Sequence, residues 1–201
     1  MEFITSIDDL KALYGTPAAP ALRKVARQMT PLYRKWIMAS RLCMLATVGA
    51  DGTDDSPRGD DGPVVLELDP GTLALPDWYG NNRLDSLRNI VTDGRVSLMF
   101  LVPGSNNVIR VNGTAQITTD ADLMAKFSKK GKLPRTVIVI KIAEIYGQCA
   151  RALMRARTWT SGDESGDLPS MGDIIAEQTA GEEGGQAYDT AWAPRAAKTM
   201  W

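Results

Sequence analysis

The spacing of hydrophobic and polar positions divides the chain into three segments, the first of which is helical. Over 1–40, Ser6 and Asp9 form a pair resembling a capping box, which predicts a short helix that ends at Gly15. Pro31 suits the first turn of a later helix, whose apolar residues fall on one face. The pattern therefore predicts a helical N-terminal segment.

From 41 to 160 the pattern changes to short strands separated by turn residues. Turn signals such as Ala50-Asp51-Gly52 and Asp60-Asp61-Gly62 divide this segment into apolar stretches, and Gly113 is placed where a β-bulge is expected. One helix, NRLDSLRNIV, interrupts the strands. Some six antiparallel strands predict a mainly β fold with flanking helices (α+β), closed into a small barrel. The strands alternate with turns and not with long crossover helices, and no GxGxxG motif is present, so the pattern argues against a Rossmann fold.

The last segment, 161–201, begins with a polar, glycine-rich connector and contains one further predicted helix, MGDIIAEQ. The tail after it is rich in alanine and glycine, which indicates a loosely ordered structure. Tyr188, Trp192 and Trp201 are scattered along this tail. We therefore expect it to dock on the core of its own chain or on a second subunit.

Composition bears on function mainly through two features that the chain lacks, an excess of basic residues and any histidine. The 201 residues are 44% hydrophobic and 23% charged, with a net charge of −1. This balance argues against non-specific nucleic-acid binding, which needs a basic field. The chain has no histidine, so catalytic triads that use histidine and most zinc sites are excluded. Redox chemistry on a bound cofactor fits this restriction.

The cysteines and the hydropathy of the chain indicate its cellular compartment. Cys43 and Cys149 show no metal-ligand spacing and indicate a reducing, cytoplasmic compartment. The N-terminus lacks the apolar region of a signal peptide, and no apolar run approaches the length of a membrane span. The acidic residues around Asp54 and Asp60 match no calcium loop. We therefore expect neither a metal site nor a membrane partner.

The first candidate binding cluster is SPRG at 56–59. Arg58 follows Pro57, which cannot donate to a strand ladder and so marks a strand edge. Gly59 allows a ligand to approach the main chain closely. This arrangement suits an anionic ligand, and the alternative interpretation is a solvent-exposed turn arginine.

The second candidate cluster is GNNR at 80–83, directly before the predicted helix. The N-terminus of a helix presents free N–H groups that suit a phosphate. Arg83 can add a bidentate contact, and Ser86 lies one turn into the helix. The alternative interpretation is that Asn81 or Asn82 only caps the helix.

Several segments, in this order, resemble the flavin mononucleotide (FMN) binding core of the pyridoxamine 5'-phosphate oxidase-like family. They are SPRGD at 56–60, LALPD at 73–77, GNNRLDSLRNI at 80–90, RVSLMFLVPG, IRVNGTA and EIYGQCARALMRARTW. The resemblance covers 30–160, and LPSMGDIIAEQ is typical of an uncharacterised branch of the family. It implies a six-stranded antiparallel split β-barrel that acts as a homodimer with FMN at the subunit interface.

The cofactor contacts that the resemblance implies fall into four groups. Those at the phosphate are Asn82 and Arg83, with Asn81 and Ser86 beside them. Those along the ribityl chain and the ring edge are Ser56, Pro57, Arg58 and Gly59. Those near the isoalloxazine or the ribityl chain are Leu75, Pro76 and Asp77. Those that would come from the second subunit are Arg110 and Asn112.

The chain also departs from the vitamin B6 oxidase itself. One member of the oxidase's basic pair is Asn82 here, and Tyr146 stands at a position resembling that of a tryptophan. The arginine-histidine segment that serves the substrate in the oxidase has no counterpart with histidine. The resemblance therefore implies FMN binding without implying oxidation of vitamin B6.

The resulting hypothesis is an FMN-dependent oxidoreductase that uses a small-molecule substrate or electron donor, with no side chain assignable as acid or base. The first alternative is a carrier of flavin or haem on the same barrel, although the missing histidine counts against haem ligation through imidazole. The second alternative is a structural or regulatory dimer with a vestigial pocket.

Overall fold

Seven antiparallel strands form one sheet in the computed structural model, which describes all residues from 1 to 201. The strands are β1 (Leu42–Gly49), β2 (Gly52–Gly59), β3 (Leu66–Asp69), β4 (Thr72–Asp77), β5 (Arg95–Leu101), β6 (Val108–Thr118) and β7 (Thr136–Gln148). Their order across the sheet is β2-β1-β5-β6-β7-β4-β3. The prediction of a mainly β, antiparallel fold with flanking helices is confirmed.

The predicted number of strands and the predicted closure of the barrel are wrong. The sheet has a seventh strand and two open edges, β2 and β3, with no ladder between them. β3 is only four residues long and pairs with β4 through an irregular register. β2 carries charged residues and Pro57, which has no N–H to donate. Short, charged and proline-bearing strands are typical of protected sheet edges.

Eight helices flank the sheet. They are α1 (Ile7–Tyr14), α2 (Ala19–Arg23), α3 (Pro31–Ile37), α4 (Asp85–Thr92), α5 (Ala121–Ala125), α6 (Arg151–Arg155), α7 (Met171–Gln178) and α8 (Gly185–Thr199). The start predicted for α1 is confirmed, since the Ser6 hydroxyl accepts a hydrogen bond from the Asp9 N–H at 3.1 Å. None of these helices has the length and apolar character needed to span a bilayer.

The tail differs from its sequence-based expectation because it contains the 15-residue helix α8. Asp189 of this helix accepts hydrogen bonds from the Gly172 N–H at 2.9 Å and the Ser170 hydroxyl at 2.6 Å. A Cβ at position 172 would come within 2.4 Å of the Gly185 carbonyl oxygen, so glycine is required for this close approach of α7 and α8. The tail is therefore not loosely ordered as its composition indicated, because α8 packs against the start of α7.

Close approaches at two glycines position the elements around the sheet. A Cβ at Gly113 would come within 2.0 Å of the Lys141 carbonyl oxygen, at the register shift that confirms the predicted bulge in β6. A Cβ at Gly49 would come within 2.2 Å of Asn89 Oδ1. The Asn89 amide donates to the Thr47 hydroxyl at 3.0 Å, which fixes α4 over β1. This contact places the first turn of α4 beside β2.

Candidate functional site

A cavity of about 770 Å³ lies between β2, β4, the loop from 78 to 84 and the first turn of α4. Its volume is in the range of small-molecule and cofactor sites. All the predicted site residues except Arg110 and Asn112 line it: Ser56, Pro57, Arg58, Gly59, Leu75, Pro76, Asp77, Asn81, Asn82, Arg83 and Ser86. The fold therefore brings the two polar clusters of the sequence together in one cavity.

One side of the cavity, called here the strand wall, consists of Asp54, Ser56, Arg58, Asp77 and Ser86. A continuous chain of hydrogen bonds links them. The Ser86 hydroxyl donates to Asp54 at 2.5 Å and lies 3.1 Å from the Ser56 hydroxyl. Arg58 donates from Nε to Ser56 at 3.2 Å and from Nη1 to Asp77 at 2.5 Å. Each polar group of this wall is thus already engaged by another.

The ion pair between Arg58 and Asp77 is largely buried, with 19% and 14% of the two side chains exposed. Arg58 is therefore not the solvent-exposed turn arginine of the alternative interpretation. Beside it on β1 lies Cys43, its partner in the strand register. Burial raises the pKa of the Cys43 thiol to about 12, although the charge of Arg58 opposes this rise.

The opposite side, called here the loop wall, consists of Tyr79, Asn82, Arg83, Leu84 and Arg135. Asn82 and Leu84 have positive φ values of 61° and 66°, which non-glycine residues rarely adopt. Such conformations can turn successive backbone N–H groups toward one point and make an anion-binding concavity. They also cost energy, and strained residues of this kind concentrate at ligand sites.

The start of α4 contradicts the interpretation that Asn81 or Asn82 caps this helix. The helix begins at Asp85, and its N-cap residue Leu84 has no side chain that accepts a hydrogen bond. Asn81 does not cap the helix; its side-chain oxygen accepts from the Arg83 N–H at 3.1 Å and closes a turn before it. The first-turn N–H groups of α4 therefore lack a side-chain acceptor, beside the cavity.

Three arginines line the cavity, and they differ in their partners. Arg58 pairs with Asp77, and Arg83 pairs with Asp85 at 2.8 Å on the surface. Arg135 has no carboxylate within ion-pair distance. It donates from Nη1 to Asn82 Oδ1 at 3.0 Å, and its guanidinium carbon lies 4.2 Å from the centre of the Tyr79 ring. One cationic group is thus left without an ionic partner.

Among the lining residues that sequence reasoning missed are Arg135 and Thr136, which are adjacent in the chain. They reach the cavity because β7 pairs with β4, which places Thr136 opposite Asp77. The Thr136 hydroxyl oxygen is buried and has no hydrogen-bond partner. A buried polar atom without a partner is costly, so its presence in a cavity wall indicates a place for a ligand atom or water.

Arg110 and Asn112, on β6, lie away from this cavity. Arg110 lines a second, smaller cavity of about 300 Å³, and its guanidinium carbon is 5.4 Å from the centre of the Tyr146 ring. Asn112 accepts from the Ser97 hydroxyl at 2.6 Å and donates to Glu144 at 2.7 Å. Within one chain, these two residues do not join the other predicted contacts.

The last residues of the tail lie at the rim of the cavity. Met200 lines the cavity, and the Trp201 ring meets that of Trp78 edge-on, with centres 5.3 Å apart. Lys129 lies over Trp201 at 4.8 Å and forms ion pairs with Asp60 and Asp61. The expected docking of the tail thus takes place on its own chain.

The pKa values of Asp61 and Lys129 at this rim are shifted by their mutual contact. The hydrogen bond that Lys129 donates to Asp61 is the main cause that lowers the pKa of that carboxyl. Burial acts to lower the pKa of Lys129, but the hydrogen bonds and charges of Asp60 and Asp61 together outweigh it, so that pKa is raised. No group of three or more His, Cys, Asp or Glu side chains in the molecule is arranged to hold a metal ion.

The fold is thus an antiparallel sheet with a polar, arginine-lined cavity whose volume is typical of small-molecule sites. The profile of the pyridoxamine 5'-phosphate oxidase family matches residues 29–149. The chain belongs to this family, as its sequence motifs predict. Members of the family commonly bind a flavin, are often oxidoreductases and are commonly dimeric.

Solved structures similar to the chain include HupZ from Group A Streptococcus, with 22% identity over 59% of this chain and 93% of that one, and a TM-score of 0.48. A Lactobacillus delbrueckii protein provisionally described as a pyridoxamine 5'-phosphate oxidase has 24% identity over 60% and 95%, with a TM-score of 0.46. General Stress Protein 26 from Bacillus anthracis has 19% identity over 57% and 88%, with a TM-score of 0.45. No curated protein matches the chain.

Proposed function

We propose that the protein is an FMN-binding flavoprotein that acts as an oxidoreductase on a small-molecule substrate or electron donor. The observation that carries this proposal is the single cavity that gathers both polar clusters of the sequence. It joins an uncapped helix start, an arginine without an ionic partner and a buried hydroxyl without a hydrogen-bond partner. These are groups that an anionic, multiply hydroxylated ligand can satisfy.

The residues present fit the parts of FMN. The phosphate needs cationic and N–H donors, which the loop wall offers at Asn82, Arg83 and the first turn of α4. The ribityl hydroxyls need small polar partners, which Ser56 and the orphaned hydroxyl of Thr136 supply. The ring needs an apolar surface, to which Leu75 and Pro76 contribute.

When bound, FMN would supply a redox-active ring that accepts and returns electrons. The chain would bind and orient it. Asp77 and Ser56 hold the Arg58 guanidinium in place, so that its charge stands beside the ligand without further reorganisation. Leu75 is 1% exposed and helps to exclude water from that side. We assign no side chain as acid or base, because the cavity holds no histidine and its carboxylates are already engaged.

The proposed active unit is a homodimer in which Arg110 and Asn112 of one subunit approach the flavin of the other. This assignment follows from the family resemblance and from their position on β6, outside the cavity of their own chain. We also propose that the FMN-binding β domain extends over 41–160, with the segments 1–40 and 161–201 as additions to it. A carrier that binds flavin without turnover is the second candidate, and the absence of a free acid or base in the cavity favours it.

The decisive experiment is the absorbance spectrum of the purified protein, followed by release of the ligand and its mass. We expect flavin bands and the mass of FMN, which also distinguishes it from the F420 that members of this family also bind. A colourless protein that gains no flavin absorbance on addition of FMN would overturn the proposal. Where flavin is bound, rapid bleaching by NAD(P)H would support an enzyme, and a flavin that NAD(P)H does not bleach would support a carrier.

A further inference from the structure

The charges that line the cavity are segregated between its two walls. The lining contains three arginines and three aspartates. Two of each are consumed in the pairs Arg58–Asp77 and Arg83–Asp85. The remaining aspartate, Asp54, belongs to the strand wall and accepts from Ser86, whereas the remaining arginine, Arg135, belongs to the loop wall. An anionic group is therefore attracted toward the loop wall and repelled from the strand wall.

Arg135 is also held in a defined orientation. Its N–H donates to the Asp77 carbonyl oxygen at 3.1 Å, which ties its backbone to β4. Its side chain is fixed by the hydrogen bond to Asn82 and by the ring of Tyr79. A guanidinium has five N–H donors, and the recorded contact with Asn82 uses one of them. The others remain available for a bidentate contact with a phosphate.

Resting on the proposed function, we infer that Arg135 is the residue that selects a phosphate monoester in this cavity, so that the protein prefers FMN to riboflavin. Arg83 is the residue that the sequence favours for this role, but its guanidinium already contacts Asp85. Arg83 would have to give up part of that contact to bind a phosphate, whereas the guanidinium of Arg135 is oriented and has no carboxylate partner to lose.

The test compares FMN with riboflavin, which has the same ring and ribityl chain but no phosphate. Binding is measured by flavin fluorescence for the wild type and for Arg135→Gln, Arg135→Lys and Arg83→Gln. Arg88→Gln is a matched control, because Arg88 lies on α4 but does not line the cavity. Circular dichroism of each variant verifies that it is folded.

We expect Arg135→Gln to weaken FMN binding by about tenfold or more, as the loss of a charged hydrogen bond does, and to leave riboflavin binding unchanged within about twofold. Arg135→Lys should lie between Gln and the wild type, and Arg83→Gln should have the smaller effect. Equal losses for both ligands, or unchanged FMN affinity, would overturn the assignment of Arg135 while leaving FMN binding intact. A wild-type protein that binds neither ligand would overturn the proposed function itself, and the inference with it.

Discussion

The strand wall and the loop wall line the same cavity, but they differ in whether their polar groups already have partners within the protein. In the strand wall, a chain of hydrogen bonds from Asp54 to Asp77 engages every polar side chain. In the loop wall, Arg135 lacks an ionic partner, and α4 begins without a side-chain cap. A satisfied network contributes to folding, whereas open donors contribute to binding. The two walls should therefore respond differently to mutation.

The largest expected effect concerns the thiol of Cys43, which lies beside Arg58 of the strand wall. Cys43 is fully buried, and burial raises the pKa of its thiol to about 12, whereas Cys149 is exposed. At pH 8 the thiolate fraction of Cys43 is then lower than that of an ordinary thiol by roughly three orders of magnitude. We expect a thiol reagent to label one cysteine per native chain, and two after denaturation. Prompt labelling of both would show that the strand wall is open.

The next effect is the loss of the ion pair within the strand wall. Arg58→Ala leaves the largely buried Asp77 without its partner, so we expect the free energy of unfolding to fall by about 2–3 kcal/mol. Urea unfolding measures this change. The double variant Arg58→Ala/Asp77→Ala is the control and should recover part of the loss. A change below about 0.5 kcal/mol would contradict a structural role for this pair.

A smaller loss of stability is expected on substitution of Ser86, where the hydrogen-bond chain of the strand wall passes from β2 to α4. Ser86 is 4% exposed, and its hydroxyl contacts both Asp54 and Ser56. Ser86→Ala should cost about 1–2 kcal/mol of stability, because Asp54 loses a donor in a sheltered position. Thermal unfolding at neutral pH measures it. Unchanged stability would mean that the chain is not continuous in solution.

Substitutions in the loop wall should change the free energy of unfolding far less than substitutions in the strand wall. Arg83 and Asp85 form an exposed pair, with 76% and 40% of their side chains in solvent. Arg83→Ala should therefore change the free energy of unfolding by less than about 1 kcal/mol. The same urea titration as for Arg58→Ala gives a direct comparison. A loss as large as that of Arg58→Ala would remove the distinction between the two walls.

The rim contact of the tail should show a weak dependence on pH. The lowered pKa of Asp61 means that its contribution is present above the unfolded-chain value of about 4 and is lost as pH falls through the folded-state value. The raised pKa of Lys129 means that its contribution is present below about 10 and is lost at higher pH. Tryptophan fluorescence should be constant between these limits and change outside them. Asp61→Asn should abolish the change in tryptophan fluorescence at acid pH.

Local sequence signals predicted much of the sheet and part of the site. Turn residues marked most strands, Ser6 marked the start of α1, and Gly113 marked the bulge in β6. The two polar clusters could be recognised because each is continuous in sequence. Their meeting in one cavity follows from the packing of α4 over β1 and β2, which the contact between Asn89 and Thr47 fixes.

The features that sequence missed depend on contacts between distant parts of the chain. Arg135 and Thr136 enter the cavity only because β7 pairs with β4. α8 is ordered by hydrogen bonds that Asp189 accepts from the start of α7. The closed barrel was expected from the number of strands, but closure depends on whether the edge strands can pair. No local pattern carries this information.

The most direct test of the whole account is a titration of the ligand-free protein with FMN and, in parallel, with riboflavin, followed by flavin fluorescence. The account predicts saturable binding of one FMN per chain and weaker binding of riboflavin, since the loop wall contacts the phosphate. Absence of saturable FMN binding would contradict the central claim that this cavity is a flavin site.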